Sequence, residues 1–107
     1  MQEQRKGSLA EQAKIFKALG HPSCLLMVDA LRDGEKCVCE LRELVGDDMS
    51  TISRHLAVLR EAGVVTSEKR GTNIYYRLKQ NCLGTFLECT AHAVQQKRDQ
   101  FTCARPR

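Results

Sequence analysis

Six cysteines fall within 107 residues, and two of them stand one residue apart in Cys37-Val38-Cys39. Thiolates are soft donors that select thiophilic metals, and they are also the group that oxidants attack. On a regular helix, residues i and i+2 point about 200° apart. If Cys37 and Cys39 both sit in a helix, their sulfurs converge on one atom only when the first turn unwinds. Cys24 reads either as a small core residue or as a further ligand, because the second and third helices of a small helical domain pack together. Cys82 and Cys89 are seven residues apart and share one face of a final helix with Phe86 and Ala93. They read as core or dimer-interface packing, or else as a reversible dithiol or persulfide sensor. The chain has no Cys-x-x-Cys, no Ser/His/Asp constellation and no phosphate-cradling Gly-rich loop, so a small redox enzyme or a metal-storage protein is a distant alternative and no small-molecule substrate is expected.

The totals bound what must position these thiols. The length suits one domain with one modest core. Hydrophobic residues are 42% and charged residues 28%, with no Trp, so the core must be aliphatic. Seventeen Lys and Arg against thirteen Asp and Glu give +4, which permits a polyanionic partner. The N-terminal residues lack an apolar run, and the longest one anywhere is Cys24 to Val28, so neither a signal peptide nor a membrane span is expected. A cytoplasmic setting follows, where disulfides at this density are not expected.

Ser8-Leu9-Ala10-Glu11 is a capping box and predicts a first helix to about Leu19, with Ile15, Phe16 and Leu19 on one stripe. Gly20-His21-Pro22 stops it and opens a second helix carrying Leu25, Leu26, Val28 and Leu31, which Gly34 ends. A third helix starts around Cys37, holds Leu41, Leu44 and Val45, and breaks at Gly46. Asp48 is the natural N-cap of a fourth, with Ile52, Leu56 and Leu59 inward and Gly63 at its end. Two helices joined by this tight turn make a helix-turn-helix. Val64 to Glu68 and Asn73 to Leu78 read as a hairpin around a cationic turn, Lys69 to Thr72. Asn81 caps a last helix to about Lys97, leaving 99–107 as a polar, mobile tail beyond a domain of residues 1–98.

The expected fold is mainly α with a β-hairpin, in the order α-α-α-α-β-β-α: a winged helix-turn-helix. The first and last helices carry more apolar face than so small a core absorbs, which predicts a symmetric homodimer. On the fourth helix Ser50, Thr51, Ser53 and Arg54, with His55 on the flank, face outward near the N-terminus, where a recognition helix meets bases and phosphates. Lys69 and Arg70 at the hairpin tip would reach the neighbouring backbone. Double-stranded DNA is the partner these positions fit.

Leu19-Gly20-His21-Pro22, Cys37-Val38-Cys39-Glu40-Leu41, Ser50-Thr51-Ile52-Ser53-Arg54-His55-Leu56 and Leu59-Arg60-Glu61-Ala62-Gly63-Val64-Val65 together resemble the arsenical-resistance-operon repressors, also called ArsR/SmtB metalloregulators. The resemblance covers about Glu11 to Val94. It implies a dimeric winged-helix repressor that binds a palindromic operator and leaves it when an inducer binds. It further implies trivalent arsenic or antimony, As(III) or Sb(III), at Cys37 and Cys39 first, and cadmium, lead or zinc (Cd, Pb or Zn) second; thiol oxidation on the same frame is a further reading. Family members with an arsenic site often place a third Cys where this chain has Arg42, so the third sulfur is Cys24 or Cys103, or the site uses two thiolates. Met49 stands where many members carry Gln. The paired Asp and His pattern that binds zinc in the last helix of some relatives is missing, since only His92 is there.

Overall fold

The computed structural model describes residues 2–79 and 82–104. Its elements are α1 (Gln2–Leu19), α2 (Pro22–Leu31), β1 (Lys36–Cys37), α3 (Val38–Val45), α4 (Met49–Glu61), β2 (Val65–Arg70), β3 (Asn73–Leu78) and α5 (Cys82–Ala104). This is the expected winged helix-turn-helix with one addition: β1 pairs antiparallel with β3, giving a three-stranded sheet of order β1-β3-β2. No helix among the described residues is long and apolar enough to cross a membrane.

Local chemistry explains most boundaries. His21 caps α2, its Nδ1 accepting the Ser23 N–H at 3.0 Å, and Pro22 takes the first helical position, where no N–H is needed. Gly46 closes α3 at φ 88°, and its N–H reaches the Arg42 carbonyl at 2.8 Å. Asp48 then opens α4 by accepting the Thr51 N–H at 2.8 Å. Gly71, at φ 63°, lets the two-residue turn Gly71–Thr72 join β2 to β3.

Two boundaries differ from expectation. The Ser8 capping box is not used, because α1 is already running from Gln2; the Ser8 hydroxyl instead accepts from Gln12 Nε2 at 3.2 Å, within the helix. Similarly, α5 does not stop near Lys97. It continues to Ala104, so the segment from Asp99 expected as a tail is largely helical, and residues 105–107 lie outside the described residues.

The core lies where α1, α2, α3, α4 and the sheet meet. Met27, Val28 and Leu31 from α2 pack with Leu41, Ile52, Leu56, Leu59, Val64, Val65 and Tyr76. Each large aliphatic side chain so buried contributes about 1.5–3 kcal/mol. The i, i+4, i+7 set of α4 is buried as its spacing required, which holds the opposite face of that helix outward. On α2, by contrast, Leu25 and Leu26 are exposed, while Cys24 and Met27 face the core.

Candidate nucleic-acid interface and thiol site

The outward face of α4 follows from its buried one. Ser50, Ser53 and Arg54 are exposed, and Thr51 and His55 are partly buried. Two of these groups already have partners. The Ser50 hydroxyl donates to Asp48 Oδ1 at 3.0 Å, completing the cap, and hydrogen bonds from Thr51 first, then from Ser50, hold the Asp48 carboxyl below its usual range. His55 lies against His21, with ring centroids 4.4 Å apart. Burial, then the nearby His21 and Arg54 charges, push the His55 imidazole down, against an opposing pull from Asp47. Ser53 and Arg54 are left as the most open positions of the face.

The wing is attached to this helix and to the loop before α3. Arg60 Nη1 donates to Ser67 Oγ at 3.3 Å, bridging α4 and β2. Lys69 is exposed. Arg70, expected as a free cation at the turn, is the last residue of β2 and is held by carboxylates: its Nη2 donates to Glu35 Oε1 at 3.0 Å and to Glu68 Oε1 at 2.7 Å, and its Nη1 also meets Glu35. Its guanidinium lies 4.7 Å over the Tyr75 ring.

Cys37 and Cys39 differ from the expected pair on one helix. Cys37 belongs to β1 and is the N-cap of α3, with an extended backbone (φ −71°, ψ 150°). Its sulfur turns over the helix start and accepts the Cys39 N–H at 3.4 Å, while the Cys37 N–H donates to Glu40 Oε1 at 2.9 Å. This is a capping box in which Cys takes the Ser/Thr place. The expectation that the helix must unwind for the sulfurs to meet is therefore corrected, since Cys37 lies outside the helical turn. Hydrogen bonding to Cys37, then charge on it, push the Cys39 thiol up, and Arg42 works against this. Cys37 is 8% exposed, whereas Cys39 is open to solvent. Cys39 borders a cleft of about 440 Å³ with Arg42, Glu43, Gly46, Asp47 and Met49.

The remaining cysteines are dispersed. Cys24 is 2% exposed, and burial pushes its thiol up, as a core residue requires. It lines a different cleft, of about 480 Å³ between α1, α2 and α4, with His21, His55 and Val58. Among the described residues no three His, Cys, Asp or Glu side chains are gathered to hold a metal ion. Cys89 is exposed on α5, outside the core of the single chain. The side chains of Cys82 and Cys103 lie outside the described residues. The donor set near Cys37 is thus two adjacent thiols, one of them accessible, which fits a thiophilic centre that accepts two sulfurs from this segment.

Sequence reasoning missed β1, Glu35 and Tyr75. The Cys-x-x-Glu spacing of Cys37 and Glu40 was a readable signal for the cap; a two-residue strand gives no local signal of its own.

Comparison with known proteins agrees with this geometry. The profile described as "Bacterial regulatory protein, arsR family" matches residues 21–67, which hold the helix-turn-helix and the start of the wing. An arsenical resistance operon repressor of Bacillus subtilis is 30% identical over 104 residues, spanning 96% of this chain and 99% of that one. A biofilm growth-associated repressor of Xylella fastidiosa is 40% identical over 70 residues, 65% of this chain and 61% of that protein's length, so this match leaves more than a third of the relative uncovered. A homodimeric winged helix-turn-helix DNA-binding domain from Mycobacterium bovis superposes with a TM-score of 0.79 over 90% of this chain and 89% of that one, at 24% identity, a likeness of fold. The relatives' names differ in what they regulate, and the family is one of regulators, not enzymes. The chain belongs to the arsR family of bacterial regulatory proteins.

Proposed function

We propose that this chain is a dimeric transcriptional repressor that holds a palindromic operator through α4 and the wing and is released when trivalent arsenic or antimony is bound by Cys37 and Cys39. The observation that carries the proposal is the double use of Cys37: one sulfur is both a member of the thiol pair and the cap of the helix that opens the helix-turn-helix. Arsenite has three exchangeable hydroxides. Two thiols replace two of them, two As–O bonds giving way to two As–S bonds while the thiol protons leave in two waters; arsenic stays trivalent. The As–S bond takes the place of the Cys37 S–H bond, and turning that sulfur toward an arsenic shared with Cys39 draws it off the Cys39 N–H it accepts, so α3 loses its cap.

Ser53 and Arg54 supply base or phosphate contacts, with Ser50, Thr51 and His55 beside them, and Lys69 supplies a phosphate contact from the wing. Leu9 and Phe16 of α1, Leu25 and Leu26 of α2, and Phe86 and Val94 of α5 are exposed on the single chain. A second copy covers this apolar surface and gives the twofold symmetry a palindrome matches. Cys24, in the core, and Cys103 remain the two candidates for a third sulfur. The same thiol pair also favours a second reading, in which Cd, Pb or Zn, or an oxidant joining the two sulfurs, is the signal. Titrating the operator complex with arsenite, antimonite, each of these metals and a thiol oxidant tests the reading: release by As(III) or Sb(III) at the lowest dose supports it, and release by the others alone replaces it.

A further inference from the structure

Arg70 stands where a phosphate-seeking wing cation is expected, yet its guanidinium is already engaged by the protein's own side chains. One guanidinium carries two bonds to Glu35, one to Glu68 and a stacking contact with Tyr75. The partners are arranged around the thiol segment. Glu35 lies two residues before Cys37, and Tyr75 is the residue of β3 that pairs with Cys37 of β1. A circuit results: Cys37 to Tyr75 through the sheet, Tyr75 to Arg70 through the ring, Arg70 to Glu35 through the forked ion pair, and Glu35 back to Cys37 along the chain.

We propose that Arg70 is a positioning residue that locks the wing to β1, so that the strand carrying Cys37 sets the place of the wing and thiol chemistry at Cys37 reaches the wing through this lock. The inference rests on the reading of Cys37 and Cys39 as the inducer thiols. A lone exposed ion pair orders little. Here a planar fork on one carboxylate, a second carboxylate and an aromatic face fix the same cation, a combination that Lys cannot reproduce. The strand being locked is also minimal. β1 has two register pairs, Lys36 with Tyr76 and Cys37 with Tyr75, so displacing Cys37 removes one of them. A shift of the cap is therefore felt at β3 as well as along α3, and β2 and β3 move with their tip.

Glu35→Gln and Arg70→Lys separate this role from direct DNA contact. Arg70→Lys keeps the charge a phosphate sees but loses the fork and the stacking; Glu35→Gln removes the charge and one of the two acceptors of the fork and leaves Arg70 in place. With the full chain and no inducer, the lock predicts that both variants speed amide hydrogen exchange from residue 70 to 76 by about tenfold or more, with the α2 and α4 core amides unchanged. Unchanged wing exchange in Glu35→Gln overturns the lock. With arsenite bound, wild-type wing amides should also exchange faster, while Glu35→Gln should show little further change and operator affinity should respond to arsenite several-fold less than in wild type. Arsenite that binds but leaves the wild-type wing unchanged overturns the transmission. Arsenite uptake is followed separately by the absorbance of sulfur-to-arsenic bonds. If wild type takes up none at Cys37 and Cys39, the thiol reading fails and the transmission built on it is overturned; the exchange comparison without arsenite then decides the lock on its own.

Discussion

His21 and His55 lie with their imidazole centroids 4.4 Å apart, one capping α2 and the other rising from α4. The contact joins the start of the core helix to the helix proposed to meet DNA. It also helps make adding a charge to the partly buried His55 ring unfavourable.

That arrangement predicts acid sensitivity. Burial and neighbouring positive groups hold His55 below its ordinary value of 6.5 in the folded chain. The unfolded chain therefore takes up the proton first, so the stability contributed is fully present above pH 6.5 and is lost as pH falls from there through the lowered folded value. His55→Gln should flatten the fall in melting temperature between about pH 7.5 and 5.5. An equally steep fall in the variant would assign the acid sensitivity to other groups.

Neighbours on α4 should behave oppositely. Leu56 is fully buried, and Leu56→Ala should destabilise the fold by about 2–5 kcal/mol. Arg54 is exposed, and Arg54→Ala should leave stability within about 0.5 kcal/mol while costing about 1–3 kcal/mol of operator affinity. Thermal melts and binding isotherms on the two variants check both halves; a melting loss in Arg54→Ala would make it structural.

The wing cations should separate as well. Lys69 is exposed and is the proposed phosphate contact, so Lys69→Ala should lower the slope of log affinity against log salt by about 0.9. Arg70 is occupied by Glu35 and Glu68. Arg70→Lys, which keeps the charge, should leave that slope unchanged and alter wing order instead. A slope that is the same for Lys69→Ala as for wild type would remove Lys69 from the interface.

The helix-turn-helix was readable because its signals are local. Asp48, Gly46 and Pro22 each act within a turn of their own helix end, and Ile52, Leu56 and Leu59 report their buried face by spacing alone. Ser8 misled because a capping box marks a helix start only where the preceding residues are not already helical, and here α1 begins at Gln2. The candidate thiol pair, Cys37 and Cys39, stands out by spacing, whereas its form does not: the strand conformation of Cys37 depends on pairing with Tyr75 far along the chain. Arg70 looked like a free cation for the same reason, its main partner lying 35 residues earlier.

Changing Cys37 and Cys39 together to Ser tests the central claim most directly. Ser is a preferred N-cap and replaces the Cys37 sulfur in that role, so α3 should remain capped and the fold and operator binding should persist. Hydroxyls are poor ligands for a thiophilic centre, so the variant should stay on the operator at arsenite concentrations that lower wild-type affinity by about tenfold, a coupling of about 1.4 kcal/mol. Measuring operator affinity for both proteins across an arsenite titration gives the answer: release of wild type with retention of the variant is the predicted result, and equal release of both would contradict the account and move the sensor away from Cys37 and Cys39.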